Sequence, residues 1–308
     1  METRVLSGKE VAAELDKRTA QTAAGLTASG IIPTLAVIRV GERSDDLAYE
    51  RSLLKRADKL GIRVLQQVFD VTVTEESVRK TIKTLNADPA VHGILLFRPL
   101  PQALNEAELI ETIAPSKDVD GVTSASAAGV FLGNDRGFPP CTPDAVMRIL
   151  DYFDIAVAGK KAAVVGRSTV VGRPLAMMLM RQNATVTICH TKTPDLAAET
   201  RRSDILVACA GHIGTIRAEH LRTADDADRQ KVTDCGTDGQ SASDRGNDGQ
   251  VVIDVGINMT EDGRMTGDCL AGDMDGRAAA YTPVPGGVGS VTVSVLMSHV
   301  VEACSCLA

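Results

Sequence analysis

An α/β fold in two domains with parallel sheets is predicted for this chain by three observations. The first is size: 308 residues, 44% of them apolar, supply material for two ordinary hydrophobic cores. The second is alternation. Apolar, β-branched runs of strand length recur at 34–40, 64–71, 93–97, 162–165, 185–189, 205–210 and 251–257. Between them lie stretches with helical spacing at 11–26, 46–60, 75–85, 103–113, 174–181 and 194–202. Strands that are apolar on both faces and separated by helices pair in parallel. The third is a break over 123–143, where Ser124-Ala125-Ser126, Gly133-Asn134-Asp135, Gly137 and Pro139-Pro140 interrupt any regular pattern before a helix resumes at 144–153. We therefore expect a first domain over 1–143 and a second from 144. A further segment, 222–250, is rich in Gly, Asp and Ser and almost free of apolar residues, so we expect a mobile surface excursion.

Composition excludes several classes of partner. Thirty-three Lys and Arg against 40 Asp and Glu give a net charge of −7, which repels nucleic acid and anionic lipid alike. With no Trp, 3 Tyr and 5 Phe, the stacking platforms of single-strand binders are missing too. No run approaches the roughly 18 apolar residues of a membrane span. Met1-Glu2-Thr3-Arg4 also lacks the charged-then-apolar layout of a signal peptide, so the expectation is a cytoplasmic protein. The 7 cysteines form no C-x-x-C and His is sparse, so we read reduced thiols and no metal.

The strand at 162–165 runs into Gly166-Arg167-Ser168-Thr169-Val170-Val171-Gly172-Arg173-Pro174 and then into a helix. Strand, glycine turn and helix form the phosphate cradle of a Rossmann-type dinucleotide site. Glycines let backbone approach a pyrophosphate, and the free N–H groups of the helix start receive the anion. The spacing is not G-x-G-x-x-G, and a simple βα turn would use the same glycines. The next strand ends in His190-Thr191-Lys192, where an NAD enzyme would usually offer an acid to the ribose. Arg167, Thr191 and Lys192 could instead surround a 2′-phosphate, which favours NADP, with NAD as the alternative.

Five strings then occur in order: Lys117-Asp118-Val119-Asp120-Gly121, Pro140-Cys141-Thr142-Pro143, Val165-Gly166-Arg167-Ser168, Val255-Gly256-Ile257-Asn258 and Thr282-Pro283-Val284-Pro285-Gly286-Gly287-Val288-Gly289. Together they resemble the bifunctional methylenetetrahydrofolate dehydrogenase/methenyltetrahydrofolate cyclohydrolase family over essentially the whole chain. The resemblance implies an N-terminal substrate domain, 1–143, completed by a C-terminal helix at 288–308. It implies an NAD(P)-binding Rossmann-type domain at 144–287, folate held in the cleft between them, and a homodimer. It places folate contacts at Tyr49, Asp120, Pro285, Gly286, Gly287 and Val288, with Tyr49 and Asp120 at the catalytic centre. It places cofactor contacts at Gly166, Arg167, Ser168, Thr191 and Ile257.

Two positions depart from the family. A Lys associated with the cyclohydrolase step follows the family's Tyr by four residues; here that position is Leu53, and Leu60-Gly61-Ile62 fixes the alignment without a gap. Lys55 is no substitute, since at about 100° per residue it lies roughly 240° round the helix from Tyr49. The Gln that partners the family's Lys is Phe97. Hydride transfer from 5,10-methylenetetrahydrofolate is pushed by a nitrogen lone pair and needs mainly two oriented ligands. Hydrolysis of the methenyl product needs a positioned acid or base, typically about 10²–10⁴-fold in rate. Three readings follow: a dehydrogenase with weak or lost cyclohydrolase, a fully bifunctional enzyme yielding 10-formyltetrahydrofolate, and a non-catalytic binder of folate or nucleotide.

Overall fold

The structure, a computed structural model, describes residues 2–134, 136–223 and 249–307. In chain order the elements begin with β1 (Arg4–Val5), α1 (Gly8–Ala28), β2 (Thr34–Val40), α2 (Ser44–Lys59), β3 (Arg63–Phe69), α3 (Glu75–Ala87) and β4 (Gly93–Leu96). They continue with α4 (Glu106–Ile110), α5 (Ser124–Leu132), α6 (Cys141–Tyr152), β5 (Lys161–Val165), α7 (Gly172–Arg181), β6 (Thr185–Cys189) and α8 (Leu196–Arg201). After β7 (Ile205–Ala208) come β8 (Val251–Asp254), the short strands β9 (Asn258–Met259) and β10 (Met265–Thr266), β11 (Ala280–Tyr281) and a C-terminal helix, Val288–Leu307.

The chain forms two compact units, one of Ala12–Asp144 with Thr292–Ala308 and one of Met1–Val11 with Ala145–Val291. In the first, β3, β2 and β4 make a parallel three-stranded sheet with β2 central and buried along its whole length. Its core joins Ile38, Ile82, Ile94 and Leu109, the inward residues of strands and of the helices that cover them. In the second, six parallel strands run in the order β1-β11-β8-β7-β5-β6, packed around Val165, Leu206, Val252 and Ile216. From β5 the chain moves outward to β6 and then returns to β7 on the other side of β5. That reversal opens a crevice at the carboxyl ends of β5 and β7, the usual ligand position in such sheets.

Three sequence-based expectations need correcting. Residues 1–11, expected in the first domain, belong to the six-stranded unit because Arg4 and Val5 pair in parallel with Ala280 and Tyr281; two-residue strands leave no periodicity to read. The 123–143 break contains helix α5 and the start of α6. Thr123 caps α5 by accepting the Ser126 N–H at 3.2 Å, and buried Asp118 accepts the N–H of Thr123 at 2.8 Å, so small residues that look like loop are a capped first turn. The polar excursion expected at 222–250 is anchored at both ends. Arg222 pairs with Asp204 at 2.8 Å, and Gln250 is buried, donating to Thr200 O at 2.7 Å. Residues 224–248 lie outside the described residues. Val288–Leu307 is long and apolar enough to cross a membrane by length and composition, and 61% of its apolar window is buried within the protein.

Candidate active site

At the end of β5 the backbone of Gly166 takes φ +138°, and a Cβ there would sit 2.3 Å from the Cys209 carbonyl oxygen. A Cβ on Gly172 would meet the Gly166 carbonyl oxygen at 2.1 Å. The two glycines are therefore required by each other and by the loop after β7, and they form the crevice floor at the α7 N-terminus. Ser168 Oγ accepts the N–H groups of Val171 at 3.1 Å and Gly172 at 3.4 Å, which folds the turn onto the helix start. Arg167, Ser168 and Thr191 are all exposed. Because Val165 pairs with Cys189, the Arg167 and Thr191 loops leave adjacent strands on the same edge. The turn fits a dinucleotide through its close-packed glycines and the lack of a carboxylate at the end of β6, while the first N–H groups of α7 are already taken up by Ser168.

Two aspartates that sequence reasoning missed hold the neighbouring loops. Asp268 is fully buried and accepts the N–H groups of Ala210 at 2.6 Å, Gly211 at 2.9 Å and His212 at 2.9 Å, and the Asn258 side-chain amide at 2.9 Å. Asp254, at the end of β8, accepts from Gly256 at 2.9 Å, Asp268 at 3.0 Å and Cys269 at 2.9 Å. Burial raises the Asp254 carboxyl above its ordinary range, against the lowering by those three N–H groups. The available signal was an Asp closing an apolar strand beside a Val-Gly-Ile string, a buried acid that must bind backbone. These bonds support Ile257, 63% exposed, whose Cδ1 lies 3.6 Å from where a Gly289 Cβ would stand.

The Pro285–Val288 loop shows why its glycines are needed. A Gly287 Cβ would meet Pro283 O at 2.5 Å, and a Gly8 Cβ would meet Gly287 O at 2.0 Å. Gly8 N–H donates to Gly286 O at 2.9 Å. The close approach at Gly287 is thus made by the chain's own backbone, whereas a Cβ on Gly286, at φ +107°, would meet only the Pro283 Cγ, at 4.0 Å.

In the three-stranded unit, Tyr49 on α2 is 40% exposed and its ring lies 5.5 Å from Phe97, tilted by 59°. Its phenol is held well above the usual range, first by desolvation and then by Asp120 and Cys141. Asp120 lies 3.5 Å from the Arg98 guanidinium, and desolvation raises its carboxyl despite that cation. Leu53, one turn after Tyr49, is fully buried, and Phe97 is 6% exposed. Lys55 is exposed, as the helical angle requires, and Arg56 is committed to Asp16 at 3.5 Å and to Ser294. Tyr49, Phe97, Arg98 and Asp120 are thus brought together, with hydrocarbon at Leu53 and Phe97 beside Tyr49.

The model of the tetrahydrofolate dehydrogenase/cyclohydrolase catalytic domain matches residues 6–120, and that of the family's NAD(P)-binding domain matches 140–246 and 232–307. The bifunctional protein FolD of Alkaliphilus oremlandii is 42% identical over 302 residues, spanning 98% of this chain and 97% of its own. The crystal structure of the bifunctional FolD enzyme of Campylobacter jejuni is similar with a TM-score of 0.88 at 34% identity, covering 98% of this chain and 99% of that one. The Trypanosoma brucei enzyme, solved with NADP and an inhibitor, gives a TM-score of 0.85 at 31% identity, covering 99% and 98%. With both domain models matched in order across the chain, this protein belongs to the tetrahydrofolate dehydrogenase/cyclohydrolase family.

Proposed function

We propose that the protein is an NADP-dependent 5,10-methylenetetrahydrofolate dehydrogenase whose cyclohydrolase step is weak or absent. Asp120 supplies an acceptor edge for the N–H donors of the pterin, with Tyr49 and the Pro285–Val288 loop as further folate contacts. Gly166, Arg167, Ser168, Thr191 and Ile257 hold the dinucleotide, and the exposed Arg167 beside Thr191 suits a 2′-phosphate. When bound, the nicotinamide accepts the hydride. The protein's part is orientation and exclusion of water, with no side chain needed to carry a proton.

The observation that carries the weak second activity is Leu53 fully buried, one turn from a Tyr49 that touches Phe97 rather than an amide. Hydrolysis of a methenyl group would need water placed and deprotonated there, and neither hydrocarbon can do it. A fully bifunctional enzyme is the second reading, favoured by the bifunctional naming of the relatives and by Arg98 beside Asp120 as another polar group near Tyr49. On the same reading the protein acts on tetrahydrofolate derivatives as a cytoplasmic homodimer. The test follows reduced nicotinamide by absorbance with methylenetetrahydrofolate and either NADP or NAD. The reading expects turnover with a clear preference for NADP; equal or better efficiency with NAD would reject the cofactor assignment.

A further inference from the structure

Next to Asp120 lies a buried polar chain that hydride transfer does not use. His299, on the C-terminal helix, is 1% exposed. Its Nδ1 lies 2.8 Å from the carbonyl oxygen of Val119, the residue before Asp120, and its Nε2 lies 3.2 Å from Asp144 Oδ2 on α6. Phe138 covers the ring at 5.0 Å between centroids. The Cys141 thiol donates to the same Val119 carbonyl at 3.4 Å and lies 3.8 Å from Nδ1.

A carbonyl oxygen can only accept, so Nδ1 carries a hydrogen and donates it. That assignment removes one reading of the cluster. Nδ1 cannot also take a proton from Cys141, and the thiol is pushed well above its ordinary range by burial, then by Asp120 and Asp144. Cys141 and His299 are therefore not a nucleophile and its base. The other nitrogen lies against the Asp144 carboxylate, which fixes the rotation of the ring.

We propose that His299, backed by Asp144, is a positioning residue for Asp120: it grips the Val119 carbonyl and so fixes the backbone direction from which the Asp120 carboxylate meets the pterin. The inference rests on the folate reading of Asp120. The groups facing Asp120 are Arg98 after β4, Asp118 in its own loop, Cys141 on α6, His299 on the C-terminal helix and Tyr49 on α2. Desolvation raises the Asp120 carboxyl, while Arg98, the Cys141 thiol and His299 pull it back down. Removing His299 therefore loosens the backbone and also makes the carboxylate harder to ionise.

Those two effects separate by substitution in the full chain. His299→Leu removes both, and should raise the KM for methylenetetrahydrofolate about tenfold, the cost of one buried hydrogen bond, while the NADP KM stays within about twofold. His299→Gln keeps an amide donor for Val119 without the imidazole ring. It should recover most of the folate KM, yet move the acid limb of kcat/KM to higher pH. Should His299→Leu fail to fold, the acid limb of His299→Gln decides alone. An unmoved limb, or folate and NADP KM rising together, would show a merely structural histidine and overturn the inference. Wild-type protein that turns over no methylenetetrahydrofolate would defeat the folate reading itself, a distinct result from a working wild type with unaffected variants.

Discussion

The glycine turn of the six-stranded unit and the Tyr49 patch of the three-stranded unit differ in what enforces them. Gly166 and Gly172 are locked by backbone atoms, since a Cβ on either would lie within 2.3 Å of a carbonyl oxygen. Leu53 is held by burial and Phe97 by burial and its ring contact with Tyr49, which apolar residues of similar shape would largely satisfy. On the proposed reading the first arrangement orients two ligands, a task for geometry, whereas the second offers only hydrocarbon beside Tyr49, where proton transfer would need an acid or base. That contrast is the ground for proposing a dehydrogenase whose cyclohydrolase step is weak or absent.

The largest expected effect breaks the first side of that contrast. Gly166→Ala places a methyl against Cys209 O at a φ that L-residues rarely adopt, and should lower kcat/KM for NADP by about 100-fold or more. Circular dichroism of the same sample should still show a folded chain. On the other side, Leu53→Lys places an ammonium at a fully buried position and should cost about 3 kcal/mol, lowering Tm by roughly 6–12 °C. Adding Phe97→Gln gives that ammonium a partner, so calorimetry should show part of the loss restored. Next in size, Arg167→Ala should raise the NADP KM about tenfold and leave the NAD KM nearly unchanged, because only a charge-assisted phosphate contact is lost.

Acidity sharpens the comparison further. The Asp120 carboxyl is raised, first by desolvation, and the form that accepts pterin N–H donors is the ionised one. Activity should therefore fall as pH drops through a value above the ordinary carboxylate range. In Asp120→Asn that acid limb should vanish, along with most of the folate affinity. The smallest effect concerns thiols. Exposed Cys306 should react with iodoacetamide in the native protein, whereas buried Cys141 should react only after unfolding, as peptide mapping can read.

The alternation of apolar runs was enough to predict parallel sheets, because strands covered on both faces need no period-two pattern, as β2 shows by being buried throughout. It could not reveal β1 and β11, two residues each, whose pairing is set by the tertiary fold. Helix α5 was hidden by Ser, Ala and Gly, whose helical state depends on the Thr123 cap and on Asp118. At the site, Leu53 is placed by its count of four from Tyr49 and by Leu60-Gly61-Ile62, and the structure buries it fully. Asp268 could not be found this way, since its function is to bind three backbone N–H groups from a distant loop. His299 is legible only once the fold brings it to the Val119 carbonyl and Asp144.

The most direct test of the central claim is one assay pair on wild-type protein, measuring hydride transfer from methylenetetrahydrofolate and hydrolysis of methenyltetrahydrofolate separately. The account predicts robust reduction of NADP with methenyltetrahydrofolate released and hydrolysed no faster than in buffer alone. Enzymatic hydrolysis at rates comparable with hydride transfer would contradict it, and would require Arg98, or a water held by Tyr49, to position the nucleophile in place of the missing Lys.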